Sequence, residues 1–410
     1  MSTARSIGLA ALRRLRAGRV ELVEDGGSQT FGPAGSDLEI RIEVHDPSFW
    51  RGLWRGSVGL GETYVEGAWD SDDLVGVARL GARELPRLDR ARRAILPLRR
   101  LLERLPRNTV DRARRHIAAH YDLGNDLFST FLDPTMTYSC AAFDDPEMTL
   151  EEAQRSKLDR VCRKLELTPD DHLLEIGTGW GSLSMHAAER YGCRVTTTTI
   201  SREQHRLASE RIAASGLGDR VTVLLEDYRN LTGRFDKLAS IETIEAVGWQ
   251  YFELFFRSLA ELLRPGGLAL LQAITIDDRF YELEKATRSF VNTHVFPSGC
   301  LPSLAVMRRC ASRAGLTEIG VEDMTASYPL TLRAWRRNFL AARDRLAGLG
   351  YDRRFRRLWE LYLSWSEGGF VERRIQDYQQ LLAIGGGSAK PGSVDEVTVA
   401  AGTANGALAR

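Results

Sequence analysis

The chain of 410 residues is short of the residues that hold a fold together covalently or through metals. Its five cysteines, Cys140, Cys162, Cys193, Cys300 and Cys310, are odd in number and form no CxxC pair. That argues against a disulfide framework or a zinc site and suits a reducing, cytoplasmic setting. The seven histidines lack ligand spacing, so no metal is expected. No apolar run reaches the roughly 18 residues that cross a bilayer. The short stretch Ile7–Leu12 runs into Arg13 without a signal-peptide cleavage pattern. The chain therefore reads as soluble, with any membrane contact peripheral. Surplus charge is missing too: 56 basic and 55 acidic residues leave a net charge of +1. Nothing pulls the whole molecule toward nucleic acid, and no internal repeat is visible.

What is present is an ordinary globular composition, 43% hydrophobic and 27% charged, long enough for two or three domains. Residues 1–82 alternate apolar and polar positions, as in EIRIEV at 39–44, and carry the glycine- and aromatic-rich GSVGLGETYVEGAW at 56–69. They predict a small α+β accessory domain. Residues 83–118 are a basic segment, with twelve arginines against four acids between Arg83 and Arg115. Leucines at helical spacing, interrupted at Pro86, Pro97 and Pro106, predict short amphipathic helices. They serve either as a solvated linker or as a membrane-surface contact, arginines on phosphates and leucines toward acyl chains.

From 119 to 384 strands and helices alternate. The candidate strands are His172–Ile176, Arg194–Thr199, Val221–Leu225, Lys237–Ile241 and Leu268–Ile274. Helices are expected over Ser182–Tyr191, Arg202–Ser215 and Gln250–Leu263. This is the pattern of an α/β, Rossmann-like, doubly wound parallel sheet. Residues 277–325 read as an insertion or cap between late strands. The tail 385–410, dominated by Gly, Ser and Ala, predicts disorder.

One stretch carries chemistry. LLEIGTGWG, residues 173–181, ends a predicted strand in glycines at alternate positions and leads into a helix. Gly177 and Gly179 permit positive φ and close ligand approach, and Gly181 lets the helix pack near the strand. Glu175, just ahead of the glycines, would repel a pyrophosphate but suits a cationic ligand such as a sulfonium with its α-ammonium group. The second strand, VTTTTIS, ends without the acid that grips a ribose hydroxyl and offers Thr199, Ile200 and Gln204 instead. S-adenosylmethionine fits these features better than a nicotinamide cofactor. After the third strand, Asp227 is placed to accept from an adenine amino group, with Tyr228 against the ring. The alternative is a surface turn in which Asp227 caps a helix.

Further motifs carry a family resemblance. HYDLGNDLF at 120–128, LDP at 132–134, YSCA at 138–141, TIS-x-EQ at 199–204, EDYR, IEAVG and FPSGCLPS follow in order. Together with the glycine loop they resemble the cyclopropane-fatty-acyl-phospholipid synthases and also the mycolic acid cyclopropane synthases, strongly over about 115–383 and more weakly over the N-terminal domain. The resemblance implies a class I S-adenosylmethionine-dependent methyltransferase acting on a cis double bond of an unsaturated phospholipid acyl chain. The resulting carbocation loses a proton to bicarbonate and closes a cyclopropane ring. A relative making a methyl- or methylene-branched chain would share these motifs, and a lipid-binding protein with a vestigial site is a further rival. By position, Cys140, Glu245, Ile274 and Tyr328 would cage the bicarbonate, with Gln272 standing where the family often has histidine. Gln272 can still donate to an anion but cannot titrate. Tyr138 and Ser139 would meet the cofactor's carboxylate end, and His120 and Tyr121 would close over it. Trp249, Tyr251, Phe252, Phe255 and Phe256 line an acyl channel or, at helical spacing, form core. Peripheral contact with the inner membrane face, a homodimer and no metal complete the expectation.

Overall fold

The computed structural model describes residues 3–94, 124–297 and 299–385. His120, Tyr121, most of the basic segment and the tail from 386 lie outside the described residues.

The N-terminal domain pairs a four-stranded sheet with four helices. Strands β1 (Arg19–Glu24), β2 (Gly27–Phe31), β3 (Glu39–Val44) and β4 (Trp69–Asp70) lie in the order β2-β1-β3-β4. β1 and β2 form an antiparallel hairpin, and β1 runs parallel to β3. The alternation read at 39–44 is a period-two strand: Ile40 and Ile42 are buried, Glu39 and Arg41 exposed. The helices are α1 (Thr3–Leu12), α2 (Ser48–Trp54), α3 (Gly56–Val65) and α4 (Leu74–Ala94).

α4 corrects one expectation. The helix runs through Pro86 without a break and crosses the boundary expected at 82. Proline in a helix interior removes a hydrogen bond and clashes with the preceding turn, so tertiary contacts must hold α4 in place. Leu74, Val77, Ala78 and Leu80 are buried. Arg79 and Arg83 both reach Glu372 in the second domain, each at 2.8 Å. The two domains also share a core, since Phe290 and Leu361 pack among Trp50, Tyr64 and Trp69.

In the second domain, α5 (Leu150–Lys164) precedes β5 (His172–Ile176), and α6 (Ser182–His186) precedes β6 (Arg194–Thr199). α7 (Arg202–Ala214), β7 (Val221–Leu225), β8 (Phe235–Ile241), α8 (Phe252–Leu262) and β9 (Leu263–Ile276) follow. After them come α9 (Leu304–Arg313), β10 (Leu316–Asp323), α10 (Tyr328–Ala341), α11 (Arg353–Val371) and β11 (Ile375–Ile384). The sheet order is β10-β11-β9-β8-β5-β6-β7. From β7 to β9 neighbours run parallel, while β11 is antiparallel to both β9 and β10. The expected parallel sheet thus holds for five strands. β10 and β11 escaped the sequence reading because β10 is largely exposed and β11 (IQDYQQLLAI) is unusually polar for a buried strand.

α5 opens on a capping box in which the Thr149 side chain accepts from the Glu152 backbone N–H and the Glu152 side chain accepts in return. Its buried face runs Leu150, Ala153, Gln154, Lys157, Leu158, Val161, Cys162, a helical stripe with two polar members.

Candidate active site

β5 is the middle one of the five parallel strands, with β6 on one side and β8 on the other, and the order in which strands are added switches sides there. Ligands of open α/β sheets bind at the carboxyl ends of such strands. A cavity lies there, lined by Glu175, Gly177, Gly179, Thr199, Asp227 and Glu242 among others.

The glycines take φ of +101° at Gly177, +52° at Gly179 and +87° at Gly181, all in the region that disfavours a side chain. At Gly177 a Cβ would also sit 2.3 Å from Thr243 Oγ1. At Gly179 it would meet nothing within 4 Å, so that backbone stands open. Gly181 departs from expectation. A Cβ there would make ordinary contacts of 3.6 Å with Ala208 and Ile212, so the conformation that starts α6, not close packing, is what requires glycine.

Glu175 is buried beneath this loop. Its Oε2 accepts from Thr197 Oγ1 at 2.7 Å and from Ser184 Oγ. Burial pushes its carboxyl up to about 7, against the pull of those two hydroxyls. A ligand ammonium or sulfonium would supply the missing positive partner, so the residues present fit the cofactor inferred from the sequence. Thr199 donates to Gln204 Oε1 at 2.8 Å, and Ile200 belongs to the same wall. Asp227 does form the cap that the sequence allowed as an alternative, and it also lines the cavity. Both its oxygens pair with the Arg229 guanidinium at 2.7 Å, and Oδ1 also accepts from the Arg229 backbone N–H at 3.0 Å, so Oδ2 keeps a lone pair for a further donor. Tyr228 packs edge-on against Phe255 with ring centroids 5.1 Å apart. On the opposite wall Tyr138 shares a hydrogen bond with the Tyr362 hydroxyl at 2.9 Å, and Ser139 Oγ accepts from Lys157 Nζ at 2.7 Å.

Three of the five groups expected to cage an anion, Cys140, Gln272 and Tyr328, converge on a residue of this chain. Glu242 Oε1 accepts from the Cys140 backbone N–H at 2.7 Å and from Gln272 Nε2 at 3.0 Å; its Oε2 accepts from the Tyr328 hydroxyl at 2.5 Å. Gln272 Nε2 also donates to Asp377 Oδ2 at 2.9 Å, so both its N–H bonds go to carboxylates. Gln379 Nε2 in turn donates to Gln272 Oε1 at 3.0 Å. The Ile274 backbone N–H donates to Glu245 Oε1 at 2.5 Å. Of the three carboxylates Glu242, Glu245 and Asp377, only Glu242 lines the cavity.

Burial is the main cause of every shift in this cluster. It pushes Glu245 up to about 8, helped by the charge on Glu242, and pushes Glu242 and Asp377 up as well. The Cys140 thiol and the Tyr328 phenol are pushed up in the same way. Cys140 is thus a neutral thiol, unsuited to act as a nucleophile. Lys157 is pushed down by its burial, its ammonium supported by Glu242, Asp133 and Asp377.

Lys157, Glu242 and Asp377 were missed in the sequence. For Lys157 the signal was its place on the apolar stripe of α5. For Glu242 it was a second acid three residues before Glu245. Asp377 gave none. The aromatic set after β8 divides differently from either reading as a whole. Phe252, Phe255 and Phe256 are fully buried core between α8 and the sheet, whereas Trp249 is partly exposed beneath Lys285.

Comparison with known proteins gives one consistent answer. Residues 108–380 match the family described as mycolic acid cyclopropane synthetase. The chain is 42% identical over 80% of its length, and 79% of the relative's, to the tuberculostearic acid methyltransferase UfaA1 of Mycobacterium tuberculosis. It is 37% identical to the cyclopropane-fatty-acyl-phospholipid synthase of Escherichia coli, over 89% of this chain and 92% of that one. Among solved structures, mycolic acid cyclopropane synthase CmaA1 complexed with SAH and CTAB superposes with a TM-score of 0.62 at 32% identity, covering 66% of this chain and 98% of that one.

Proposed function

The chain belongs to the mycolic acid cyclopropane synthetase family and is an S-adenosylmethionine-dependent methyltransferase; from that premise we propose that it methylates a cis double bond of an unsaturated phospholipid acyl chain and closes a cyclopropane ring there. The observation that carries this reading is the pairing of a cation-accepting cradle at Glu175 with a second fixed carboxylate, Glu242, on the same cavity.

S-adenosylmethionine supplies a methyl group on a positively charged sulfur. In this reading Glu175 meets the cofactor's ammonium group, and Ser139 and Lys157 meet its carboxylate. Asp227 and Tyr228 hold the adenine, and Thr199, Ile200 and Gln204 form the wall beside the ribose. An alkene is a poor nucleophile, so the residues act by alignment and by excluding water. Tyr138, which lines the cavity and is tilted on Trp335 at 5.2 Å, supplies an electron-rich face for developing positive charge. The donors implied for a bicarbonate are all engaged by carboxylates of the chain itself.

Membrane access is part of the same proposal. No helix among the described residues is long and apolar enough to cross a bilayer. Trp54 is 71% exposed on the N-terminal domain between Arg51 and Arg55, which supports peripheral contact with anionic headgroups.

Incubating the protein with methyl-labelled S-adenosylmethionine and oleoyl phospholipid vesicles tests the function. Cyclopropane protons, far upfield in the proton spectrum of the extracted lipid, are the expected result. Labelled lipid without them would replace the ring with a methyl- or methylene-branched chain. Unlabelled lipid would overturn the reading.

A further inference from the structure

We propose that Glu242 is the proton acceptor of the reaction, a carboxylate built into the chain where an external anion would otherwise be bound; the proposal rests on the function stated above. Four observations carry it. Glu242 faces the cavity, whereas Glu245 and Asp377 lie behind the wall. Three donors from separate parts of the chain fix its two oxygens: the Cys140 N–H, the Gln272 side-chain amide and the Tyr328 hydroxyl. These are the groups that would hold a small oxyanion, and a carboxylate presents the same pair of oxygens as one face of bicarbonate. Finally, the backbone of Glu242 has φ of +47°, a left-handed conformation for a residue with a side chain. Such strain persists where the surroundings impose it and clusters at functional sites. Here it coincides with the Glu242 N–H donating to the Gln272 carbonyl at 2.8 Å, which locks the turn at the end of β8 against β9.

The step balances without another reactant. The alkene's π pair forms a bond to the methyl carbon as the sulfur–methyl bond breaks, and positive charge passes to the second alkene carbon. A C–H bond of the transferred methyl then breaks. Its electron pair forms the third side of the ring, and the proton goes to the Glu242 carboxylate and from there to solvent. The released proton and the neutral thioether account for the charge brought in by the sulfonium. Desolvation strengthens Glu242 as a base, while Lys157 and the three donors keep its ionised form accessible.

Two variants and one ligand titration test it. Glu242→Gln keeps the shape of the side chain and removes the base; ring formation should fall about a hundredfold or more, with a melting temperature within a few degrees of wild type. Glu242→Gly relieves the left-handed backbone and empties the carboxylate position. It should gain bicarbonate or formate binding by calorimetry and recover ring formation when either is added. The wild-type protein should bind neither and turn over equally in carbonate-depleted buffer. Wild-type binding of bicarbonate with a tenfold or greater loss of turnover on its removal would overturn the proposal, as would a Glu242→Gln protein of wild-type activity; both leave the methyltransferase reading standing. A wild-type protein that labels no lipid overturns that reading, and this one with it.

Discussion

The two ends of the cavity are built in opposite ways. At the cofactor end the cradle itself is local: a strand, its glycine turn and the next helix place Glu175, Gly177 and Gly179 within a few residues, and Ser139, Lys157, Thr199 and Asp227 complete it from neighbouring elements. At the proton-accepting end the contributors come from far apart. Cys140 lies ahead of α5, Glu242 directly follows β8, Gln272 lies within β9, Tyr328 starts α10, and Asp377 and Gln379 belong to β11. The first end is a local motif that happens to be buried. The second is a polar network that exists only once the sheet is complete, and its members are unpaired acids and amides until then. Even then Glu245 Oε2 and Asp377 Oδ1 are buried without a hydrogen-bond partner among the described residues, and in a dry interior each unsatisfied oxygen makes the network costlier to hold.

The comparison is broken most sharply at Gln272. Gln272→Leu removes the one amide that bridges Glu242 and Asp377, leaving two buried carboxylates short of a donor. Urea unfolding should show a loss of about 3–5 kcal/mol, and ring formation should fall with it. Next in size is Glu175→Gln, which separates binding from stability. Glu175 is fully buried and its carboxyl is raised to about 7 from 4.5. The folded state therefore holds its proton more tightly than the unfolded chain. The sign follows: the contribution is fully present below pH 4.5 and is lost as pH rises through 7. At pH 8 the charged group costs the apoprotein about 3 kcal/mol. Glu175→Gln should recover much of that at pH 8 and nothing at pH 4 by thermal melting, while cofactor affinity by calorimetry falls about tenfold, the equivalent of 1.4 kcal/mol. Smallest is Gly177→Ala. Its Cβ meets Thr243 Oγ1 in a left-handed backbone, for an expected loss of about 1–3 kcal/mol; equilibrium unfolding in urea measures it. Were it to exceed the Gln272→Leu loss, the local end would be the more demanding one and the contrast would reverse.

Legibility follows the same division. Strand, glycine turn and helix carry strong periodic and conformational signals, so β5 to β9 and the cradle could be read from the chain, with boundaries off by a few residues. Glu175 was visible as a carboxylate out of place before a glycine loop. The donors Cys140, Gln272 and Tyr328 were reached through family motifs and expected to face an anion from solution. What escaped was that Glu242 fills that position, because which side chain points into a cavity depends on the turn after β8. That turn rests on a left-handed glutamate, which no periodicity announces. Asp377 was hidden further, since β11 reads as polar and its burial comes from lying between two other strands. α4 was misread at Pro86 because helix propensity there yields to the packing of the helix against α11.

The placement of β11 has a consequence for assembly. The strand enters the sheet between β9 and β10 and is synthesised after both. Until it docks, β9 and β10 are open edges, and a ribosome-bound chain that has not yet extruded residue 384 exposes two unpaired rows of backbone donors and acceptors. The same insertion delivers Asp377 and Gln379 beside Gln272. Maturation of the acid–base chemistry and closure of the sheet are thus one event, so a partly made chain can carry a cofactor cradle without being able to finish a reaction.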